Sequence, residues 1–296
     1  MRILLFGKNG QLGWELQRSL ACLGELVALD RHSTPHRGEL ADLFGLASTV
    51  RALRPDVIVN AGAYTAVDKA QSDAGTARTI NANAVAVLAR EAAALGALLV
   101  HFSTEYVFDG SGKRAWTEAD LPAPLNVYGQ TKLEGEQAIQ ATSPHHLIFR
   151  TSWVYAARGD NFAKTMLRLA HQGERLTVVD DQWGAPTGAE LLADVAAHCI
   201  RQVLQRPGDA GLYHLVPSGQ TSWFGFAKYV LAGALNASNA TQAVAEKMVA
   251  VPSTAALTAA VRPLNCRLDA RRLQAVFGLT LPPWQHGVDR LLAEID

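Results

Sequence analysis

The first thirty residues combine a short apolar run, a glycine-rich turn, an amphipathic segment and a second apolar run that ends in an acid. Met1–Phe6 is predicted to be a buried strand, since a short apolar run bounded by glycine is typical of one. The turn Gly7-Lys8-Asn9-Gly10-Gln11-Leu12-Gly13 follows, Trp14–Cys22 is predicted to be helical, and Glu25–Asp30 is predicted to be the second strand. This order of elements predicts a parallel α/β sheet with crossover helices.

The glycine turn also predicts a ligand. In a dinucleotide-binding unit, glycines permit a tight turn and a close approach of the backbone to a pyrophosphate, which the helix N-terminus faces. Asp30 is placed to accept hydrogen bonds from ribose hydroxyls, which favours NADH, but Arg31 and Lys8 could meet the 2′-phosphate of NADPH. The sequence therefore leaves both cofactors possible. A purely structural role for the turn and a solvated position for Arg31 are the alternatives.

The alternation of strands and helices continues along the chain. Further strands are predicted at Val57–Asn60, Leu98–Phe102, His146–Thr151 and Leu176–Val179, and helices at Ala47–Arg54, Ile80–Leu95, Phe162–His171, Ala189–Gln205 and Trp284–Ile295. Ala232–Ala260 is the least readable part, with a helix end, a short strand near Met248–Val251 and loops. The predicted fold is a Rossmann-like, doubly wound parallel sheet with a smaller, mixed α/β C-terminal lobe.

Two domains are predicted. Residues 1–151 would form an NAD(P)-binding Rossmann domain, and residues 152–296 mainly a substrate-binding lobe. Leu176–Val179 and parts of the later chain are expected to return to the main sheet.

A phenol and an ammonium stand four residues apart in Asn126-Val127-Tyr128-Gly129-Gln130-Thr131-Lys132. If Tyr128 opens a helix, Lys132 lies one turn further along on the same face. Its charge would lower the Tyr128 pKa, which is about 10 when unperturbed, and would suit a tyrosine that exchanges a proton with a substrate oxygen. The fourth strand delivers Ser103 and Thr104 to the edge of the sheet where such folds bind ligands. A solvated helix face is the alternative for the pair.

Composition excludes several classes of protein. Lysine plus arginine equals aspartate plus glutamate, 27 each, so nothing favours a nucleic-acid or membrane-surface partner. Cys22, Cys199 and Cys266 form no C-x-x-C, which predicts neither a disulfide framework nor a thiolate zinc site and favours a reducing cytoplasm. Charged residues interrupt the apolar stretch Ala82–Val100, so no membrane span is predicted.

The glycine turn, Thr104 and the Tyr128–Lys132 pair together resemble the extended short-chain dehydrogenase/reductase superfamily. Longer blocks resemble one family within it, the dTDP-4-dehydrorhamnose reductases. These blocks are Phe6–Gly13, Asn60–Asp68, Ser103–Gly110, Pro124–Gly129, Arg150–Tyr155, Asp181–Thr187 and Arg262–Asn265. The resemblance implies reduction of the C4 ketone of dTDP-4-dehydro-L-rhamnose to dTDP-L-rhamnose by NADPH or NADH, the last step in making this cell-surface polysaccharide precursor.

The resemblance also implies catalytic roles. Tyr128 would donate the proton to the substrate oxygen, and Lys132 would lower the Tyr128 pKa and hold nicotinamide-ribose hydroxyls. Thr104 would hydrogen-bond the developing oxyanion. Glu105 stands where the family usually has aspartate, and we expect it to contact the substrate. The Thr-Asp-Glu triplet of related nucleotide-sugar dehydratases is absent, because Tyr106 follows Glu105.

Other site residues follow from the same resemblance. Trp153 is placed in the substrate site, with core packing as the alternative, and Arg262 is a candidate for the diphosphate, with a surface salt bridge as the alternative. Glu15, Glu190 and Glu294 match glutamates that hold Mg²⁺ between the subunits of a homodimer in some members, although three such residues are often simply solvated. The expected cofactor contacts are Gly7, Asn9, Gly10, Gln11, Leu12, Gly13, Asp30, Arg31, Glu39, Leu40, Ala61, Gly62, Ala63, Tyr64, Thr65, Tyr128 and Lys132.

Two alternative functions are compatible with such a fold. One is an epimerase or dehydratase for another nucleotide sugar, which would keep its cofactor bound and show no net consumption. The other is a non-catalytic regulatory protein, as in the β subunit of methionine adenosyltransferase. The joint presence of Thr104, Tyr128 and Lys132 argues against the second, because a binding protein has no chemical need for all three.

Overall fold

The computed structural model describes residues 1–173, 176–234, 248–255 and 258–295. The strands in this part of the chain are β1 (Arg2–Phe6), β2 (Glu25–Leu29), β3 (Val57–Asn60), β4 (Leu98–Thr104), β5 (His146–Thr151), β6 (Val154–Tyr155), β7 (Thr177–Val179), β8 (Trp183–Gly184), β9 (Thr187–Gly188), β10 (Gly211–His214), β11 (Thr221–Ser222) and β12 (Val249–Val251). Within the described residues the main sheet has six strands in the order β10-β5-β4-β3-β1-β2, and each neighbouring pair is parallel.

Helices cover both faces of this sheet. They are α1 (Gln11–Leu20), α2 (Leu43–Leu53), α3 (Val67–Ser72), α4 (Ala74–Arg78), α5 (Ala84–Leu95), α6 (Val127–Thr142), α7 (Phe162–His171), α8 (Ala189–Gln205), α9 (Trp223–Gly233), α10 (Arg271–Phe277) and α11 (Trp284–Ile295), with a π-helical turn at Thr79–Asn83. Among the residues that the structure describes, no helix has the length and apolar character needed to cross a membrane.

The two faces of β1 show why the strands have unbroken apolar runs. Ile3 and Leu5 pack with α1, α8 and α10, whereas Leu4 and Phe6 pack with α2, α5 and α6. All four side chains are buried. A parallel sheet covered on both sides cannot alternate apolar and polar residues, because each face is core. The predicted doubly wound α/β fold is confirmed.

One predicted strand is present, but its predicted place in the main sheet is wrong. Leu176–Val179 was expected to return to it, but β7 pairs instead with β12 in a separate two-stranded sheet. The sixth place belongs to β10, which lies parallel to β5. The long helix α8 precedes β10 and supplies the crossover that a parallel neighbour requires. A strand near Met248–Val251 was predicted correctly, while residues 235–247 and 256–257 of that stretch lie outside the described residues.

The later part of the chain builds a second core from small sheets and helices. β6 pairs with β9, and β8 pairs with β11. Aromatic side chains from α7, α9 and α11 pack together beside these strands, including Phe162, Phe226 and Trp284. β10 belongs to the later half of the chain but lies in the main sheet. The division between residues 151 and 152 stays a prediction.

Candidate active site

The glycine turn lies against the loop after β3 at the carboxyl edge of the sheet. Gly7 has a φ of +86°, and a Cβ on it would lie 2.7 Å from the backbone nitrogen of Gly62. A Cβ on Gly13 would run into the backbone of Gly7. Side chains at these positions would therefore push α1 and the loop after β3 away from the turn. The turn leaves the space that a dinucleotide backbone needs.

The N-terminus of α1 has donors to offer an anion. Gly10 is the N-cap residue, and within the described part of the chain no side chain caps this end. The backbone amides of the predicted contacts Gln11, Leu12 and Gly13 open the helix, and such amides bind phosphate. Gln11 also accepts a hydrogen bond from Asn161 at 3.0 Å, so its side chain turns toward the later lobe.

Asp30 follows β2 and is held by several donors. Its carboxylate accepts hydrogen bonds from Ser33 Oγ and His32 N, both at 2.9 Å, and from the Asn9 amide. Lys8 Nζ lies 3.9 Å from the same carboxylate. Burial opposes the charged form, but the hydrogen bonds from Ser33 and His32 outweigh it and lower the pKa of Asp30. Asp30 therefore stays an acceptor at neutral pH, and the exposed Arg31 is beside it.

The loop after β3 is fixed at both ends. Asn60 Oδ1 accepts from Gly62 N at 3.1 Å, and the Tyr64 backbone exchanges two hydrogen bonds with the Asn81 side chain, at 2.8 and 3.1 Å. Leu40 packs against Gly62, and its predicted contact with the cofactor stays a prediction. The other predicted positions lie nearby: Ala61, Ala63 and Thr65 in this loop, and the half-buried Glu39 before Leu40. Asn81 was not anticipated, because its partner is 17 residues away.

Tyr128 and Thr104 lie beside a buried acid. Asn126 caps α6 by accepting from Gly129 N at 2.9 Å, which places Tyr128 in the first turn, as the sequence predicts. Thr104 ends β4 and donates to Glu105 Oε2 at 2.8 Å. Burial raises the pKa of Tyr128, the charge of Glu105 raises it further, and a hydrogen bond with Thr104 opposes the change. The phenol is thus a protonated group at neutral pH.

Lys132 has partners other than Tyr128 in this structure, and its predicted lowering of the Tyr128 pKa stays a prediction. Lys132 Nζ donates to the carbonyl oxygen of Phe102 at 2.6 Å and lies 3.1 Å from His101 Nε2. The amine therefore turns toward β4, and burial of Tyr128 outweighs any help to its ionised form. Burial also lowers the pKa of Lys132 itself to about 8. Its predicted contact with the nicotinamide ribose stays a prediction.

Glu105 lies in an apolar setting that changes its protonation. Its side chain is 4% exposed, and burial raises its pKa to about 8, although the Thr104 hydrogen bond opposes this. Desolvation raises the pKa of both Tyr106 and Cys266, and the charge of Glu105 adds to the rise. Most Glu105 side chains are therefore neutral carboxylic acids at neutral pH.

A large cavity reaches Leu125, just before the N-terminus of α6, although its described lining does not include Tyr128, Thr104 or Glu105. It has a volume of about 860 Å³, and its lining includes Phe162, Met166, Val178, Gln182, Trp223 and Arg262. Arg262 makes two hydrogen bonds to Asp68, at 2.7 and 3.1 Å. Arg262 thus forms a salt bridge and also lines the cavity, and its predicted contact with a diphosphate stays a prediction.

Trp153 lies behind the cavity wall. Its ring stacks on Trp223 with a centroid distance of 3.8 Å, and its side chain is 9% exposed. The core-packing alternative therefore describes Trp153 in this structure. Trp223, which the sequence did not single out, supplies the aromatic surface to the cavity.

Comparison with known proteins places the whole chain in one family. A family model described as RmlD substrate binding domain matches residues 1–296. The dTDP-4-dehydrorhamnose reductase of Escherichia coli (strain K12) is 56% identical over 295 residues, which cover 100% of this chain and 98% of the relative. The chain belongs to the dTDP-4-dehydrorhamnose reductase family.

Solved structures of the dTDP-4-dehydrorhamnose reductase family share the fold. One from Clostridium acetobutylicum has a TM-score of 0.88 and 32% identity, and the match covers 99% of both chains. Another, from Bacillus anthracis in complex with NADP, has a TM-score of 0.85 and 32% identity over 99% of this chain and 98% of that chain. The resemblance inferred from the sequence is confirmed.

In this member of the dTDP-4-dehydrorhamnose reductase family, the three predicted metal ligands share one region. Burial raises the pKa of Glu190, and the charges of Glu15 and Glu294 add to the rise. Glu15 and Glu294 are paired with Arg18 and Arg290, at 3.3 and 2.9 Å. Within the residues described for a single chain, no group of three or more potential ligands is arranged to hold a metal ion. The predicted Mg²⁺ site, which uses two subunits, stays a prediction.

Proposed function

We propose that this chain reduces the C4 ketone of dTDP-4-dehydro-L-rhamnose to dTDP-L-rhamnose, with NADPH or NADH as the reductant. The observation that carries the proposal is the group of Tyr128, Thr104 and Glu105 at the carboxyl end of β4. The glycine turn of residues 7–13 follows β1 at the same edge, because the strands are parallel. Such an edge is where open α/β sheets bind dinucleotides.

The residues of the turn fit the cofactor. The amides of Gln11, Leu12 and Gly13 would hold the pyrophosphate, and the Asp30 carboxylate would accept hydrogen bonds from the adenosine ribose. Lys8, 3.9 Å from Asp30, suits a 2′-phosphate, which supports use of either cofactor. When bound, the reduced nicotinamide supplies the hydride for the ketone.

Tyr128 is the proton donor in this proposal. Its raised pKa keeps the phenol protonated at neutral pH, so a proton is ready when negative charge develops on the sugar oxygen. Transfer of the proton from the phenol oxygen to that oxygen yields the product alcohol. A positioned donor of this kind typically contributes about 10²–10⁴-fold to the rate.

Thr104 and Glu105 support the same oxygen. A neutral Glu105 can donate its O–H to Thr104, and the Thr104 hydroxyl then has its own proton free for the developing oxyanion. An ionised Glu105 would instead accept the Thr104 proton, as in the 2.8 Å hydrogen bond. The raised pKa of Glu105 therefore favours the arrangement in which Thr104 serves the substrate.

The cavity is the proposed site for the dTDP part of the substrate. Arg262 would pair with the diphosphate, since a guanidinium matches phosphate oxygens in geometry and charge. The faces of Trp223 and Phe162 offer flat apolar surface for the thymine ring. Residues 1–151 would then supply most cofactor contacts, and residues 152–296 most substrate contacts.

The test is a direct assay. Purified protein is mixed with dTDP-4-dehydro-L-rhamnose and NADPH or NADH, and loss of the reduced cofactor is followed. We expect one cofactor oxidised per sugar reduced. No oxidation with either cofactor would contradict the proposal, and conversion of a nucleotide sugar without net oxidation would indicate an epimerase or dehydratase.

A pair of variants tests the role of the phenol. Tyr128→Phe should lose about 10²–10⁴-fold in kcat while still binding NADPH, because only the transferable proton is removed. Tyr229→Phe is the matched control, since the Tyr229 hydroxyl bonds Asp289 in the later lobe. Wild-type turnover in Tyr128→Phe would show that the proton comes from elsewhere.

We also propose a cytoplasmic homodimer bridged by Mg²⁺ at Glu15, Glu190 and Glu294. The mutual effect of these carboxylates on the pKa of Glu190 supports it, because a hard cation would relieve their repulsion. Light scattering with Mg²⁺ and then with EDTA is the measurement. A mass that does not change on chelation would contradict a metal-bridged dimer.

A further inference from the structure

A buried chain of hydrogen bonds leads from the loop after β3 to Lys132. Gly62 N donates to Asn60 Oδ1 at 3.1 Å, Asn60 Nδ2 lies 3.2 Å from His101 Nδ1, and His101 Nε2 lies 3.1 Å from Lys132 Nζ. Asn60 and His101 are direct partners across β3 and β4. The side chains of Asn60, His101 and Lys132 are 1%, 1% and 2% exposed. Water therefore does not substitute freely for any member.

The direction of each bond follows from the first. A backbone amide can only donate, so the Asn60 oxygen faces Gly62 and the Asn60 amide group faces His101. His101 Nδ1 must then accept. A neutral imidazole with an accepting Nδ1 carries its proton on Nε2, and this N–H faces Lys132 Nζ. An ammonium has no lone pair to accept it, whereas a neutral amine has one.

The other groups around Lys132 have different effects. The Phe102 carbonyl, at 2.6 Å, accepts a hydrogen bond from the lysine in either state. Glu136, one turn further along α6, favours the ammonium of Lys132. However, Arg150 of β5 pairs with Glu136 at 2.6 Å and offsets the negative charge of Glu136. Tyr128 is a neutral phenol at neutral pH.

The protonation state of His101 completes the argument. Burial, assisted by the Lys132 charge, lowers the pKa of His101 well below its usual value. The ring is therefore neutral, and its one proton lies on Nε2 when Lys132 is a neutral amine. Charging Lys132 would require His101 to move its proton to Nδ1, which would break the bond from Asn60 or turn the Asn60 amide against Gly62 N.

We propose that His101 is a positioning residue that, through Asn60, couples the protonation state of Lys132 to the backbone of the Gly62 loop. In this arrangement the hydrogen-bond chain favours the neutral amine of Lys132 over the ammonium. Movement of the loop at Gly62 would change the proton affinity of the lysine. The catalytic meaning of this coupling rests on the proposed function, whereas the hydrogen-bond chain itself does not.

Nuclear magnetic resonance tests the chain without any turnover. Above pH 8 the ¹⁵N spectrum of His101 in the wild-type protein should show the Nε2–H tautomer, and the ¹³Cε signal of Lys132, assigned with Lys132→Met, should titrate near pH 8. The Nδ1–H tautomer above pH 8, or a Lys132 midpoint at the ordinary value of about 10.4, would overturn the proposal.

Variants then test the coupling. His101→Phe removes the donor and should raise the Lys132 midpoint by about one pH unit or more. His146→Phe is the control, because His146 bonds Ser143 O at the far end of β5 and should leave the midpoint unchanged. An unchanged midpoint in His101→Phe would refute the coupling. If that variant does not fold, the wild-type tautomer still decides.

Activity gives a separate readout. The pH profile of kcat/KM for NADPH oxidation should shift in His101→Phe in the direction of the Lys132 midpoint, while His146→Phe keeps the wild-type profile. A uniform loss of rate without a pH shift would indicate a merely structural role and would count against the proposal. Absence of oxidation by the wild-type protein would contradict the proposed function and leave the spectroscopic result standing.

Discussion

Asp68 holds Arg262 at the edge of the cavity, although 194 residues separate the two in the chain. The carboxylate accepts from both guanidinium nitrogens Nη1 and Nη2, at 3.1 and 2.7 Å, and the backbone amide of Ala260 donates to it as well at 3.0 Å. The Arg262 hydrogen bond lowers the pKa of Asp68, so the pair is charged at neutral pH. A fork fixed on one side by a carboxylate is pre-oriented for an anion on its free side.

Truncation of this pair should change substrate affinity. Arg262→Ala should raise KM for the dTDP-sugar by about 10- to 100-fold, which is the loss expected for a hydrogen bond to a charged group. Asp68→Asn should raise it by about 2- to 5-fold, because the pair is partly solvated and only orientation is lost. Initial-rate kinetics of both variants are the measurement, with Arg271→Ala as the exposed control. An unchanged KM in Arg262→Ala would show that Arg262 does not bind the diphosphate.

The glycine turn should tolerate substitution at one position and not at another. Gly7→Ala should cost at least about 2 kcal/mol in the free energy of unfolding and abolish NADPH binding, because its φ is +86° and the Cβ would meet Gly62 N at 2.7 Å. Gly10→Ala should cost less than about 1 kcal/mol, since its Cβ would lie 3.5 Å from the nearest atom among the described residues. Denaturant unfolding and fluorescence titration measure both. Equal stability losses would show that the turn is not fixed by Gly7.

The protonation of Glu105 should appear in a pH series. Its pKa is raised from 4.5 to about 8 on folding, so the folded protein binds more protons than the unfolded chain between these values. The contribution of Glu105 to stability is therefore lost as the pH rises from 4.5 to about 8, by an amount on the order of a few kcal/mol. Glu105→Gln, a permanent neutral analogue, should lack this loss when unfolding is measured across the range.

The same variant bears on catalysis. Glu105→Gln should keep most activity at neutral pH and should lack the decline above about pH 8 that we expect for the wild-type protein. Identical pH profiles of kcat in the two proteins would show that the charge of Glu105 does not reach the reaction.

A second pair of residues should contribute strongly to stability. Arg150 and Glu136 form a bidentate ion pair in which both side chains are 4% exposed or less, and the Arg150 guanidinium also lies 5.0 Å from the centre of the Phe108 ring. Arg150→Met should cost about 3–5 kcal/mol, because it leaves a buried carboxylate without a partner. Removal of the exposed Arg290–Glu294 pair should cost no more than about 1 kcal/mol. Thermal unfolding of both variants distinguishes them, and similar costs would contradict a buried, obligatory pair.

The parts of the site that sequence could predict are local. Tyr128 and Lys132 face one way because a helix repeats every 3.6 residues, and Thr104 reaches the sheet edge because it ends a mainly apolar strand. The glycine turn is predictable for the same reason. Its strand, turn and helix are consecutive, so no long-range pairing is needed to recognise them.

The parts that sequence missed depend on register and packing. His101 and Asn60 are 41 residues apart, and their contact exists only because β3 and β4 pair in one particular parallel register. Trp223 reaches the cavity because α9 packs against α7 and β7. No residue spacing in the sequence predicts this packing. β10 is four residues long, begins with Gly211 and ends in a histidine. It therefore shows neither an apolar run nor the alternation of apolar and polar residues that predicts a strand.

The position of β10 has a consequence for biosynthesis. On the ribosome, β5 is complete at Thr151, but its outer edge has no partner until His214 has emerged. At ordinary translation rates of about 5–20 residues per second, this interval of some 60 residues lasts several seconds. During that time a nearly finished sheet presents an open strand edge to every neighbouring nascent chain, which is a template for misassembly. Codon choice and chaperone access between residues 151 and 214 should therefore affect the yield of this protein more than the same changes elsewhere in its gene.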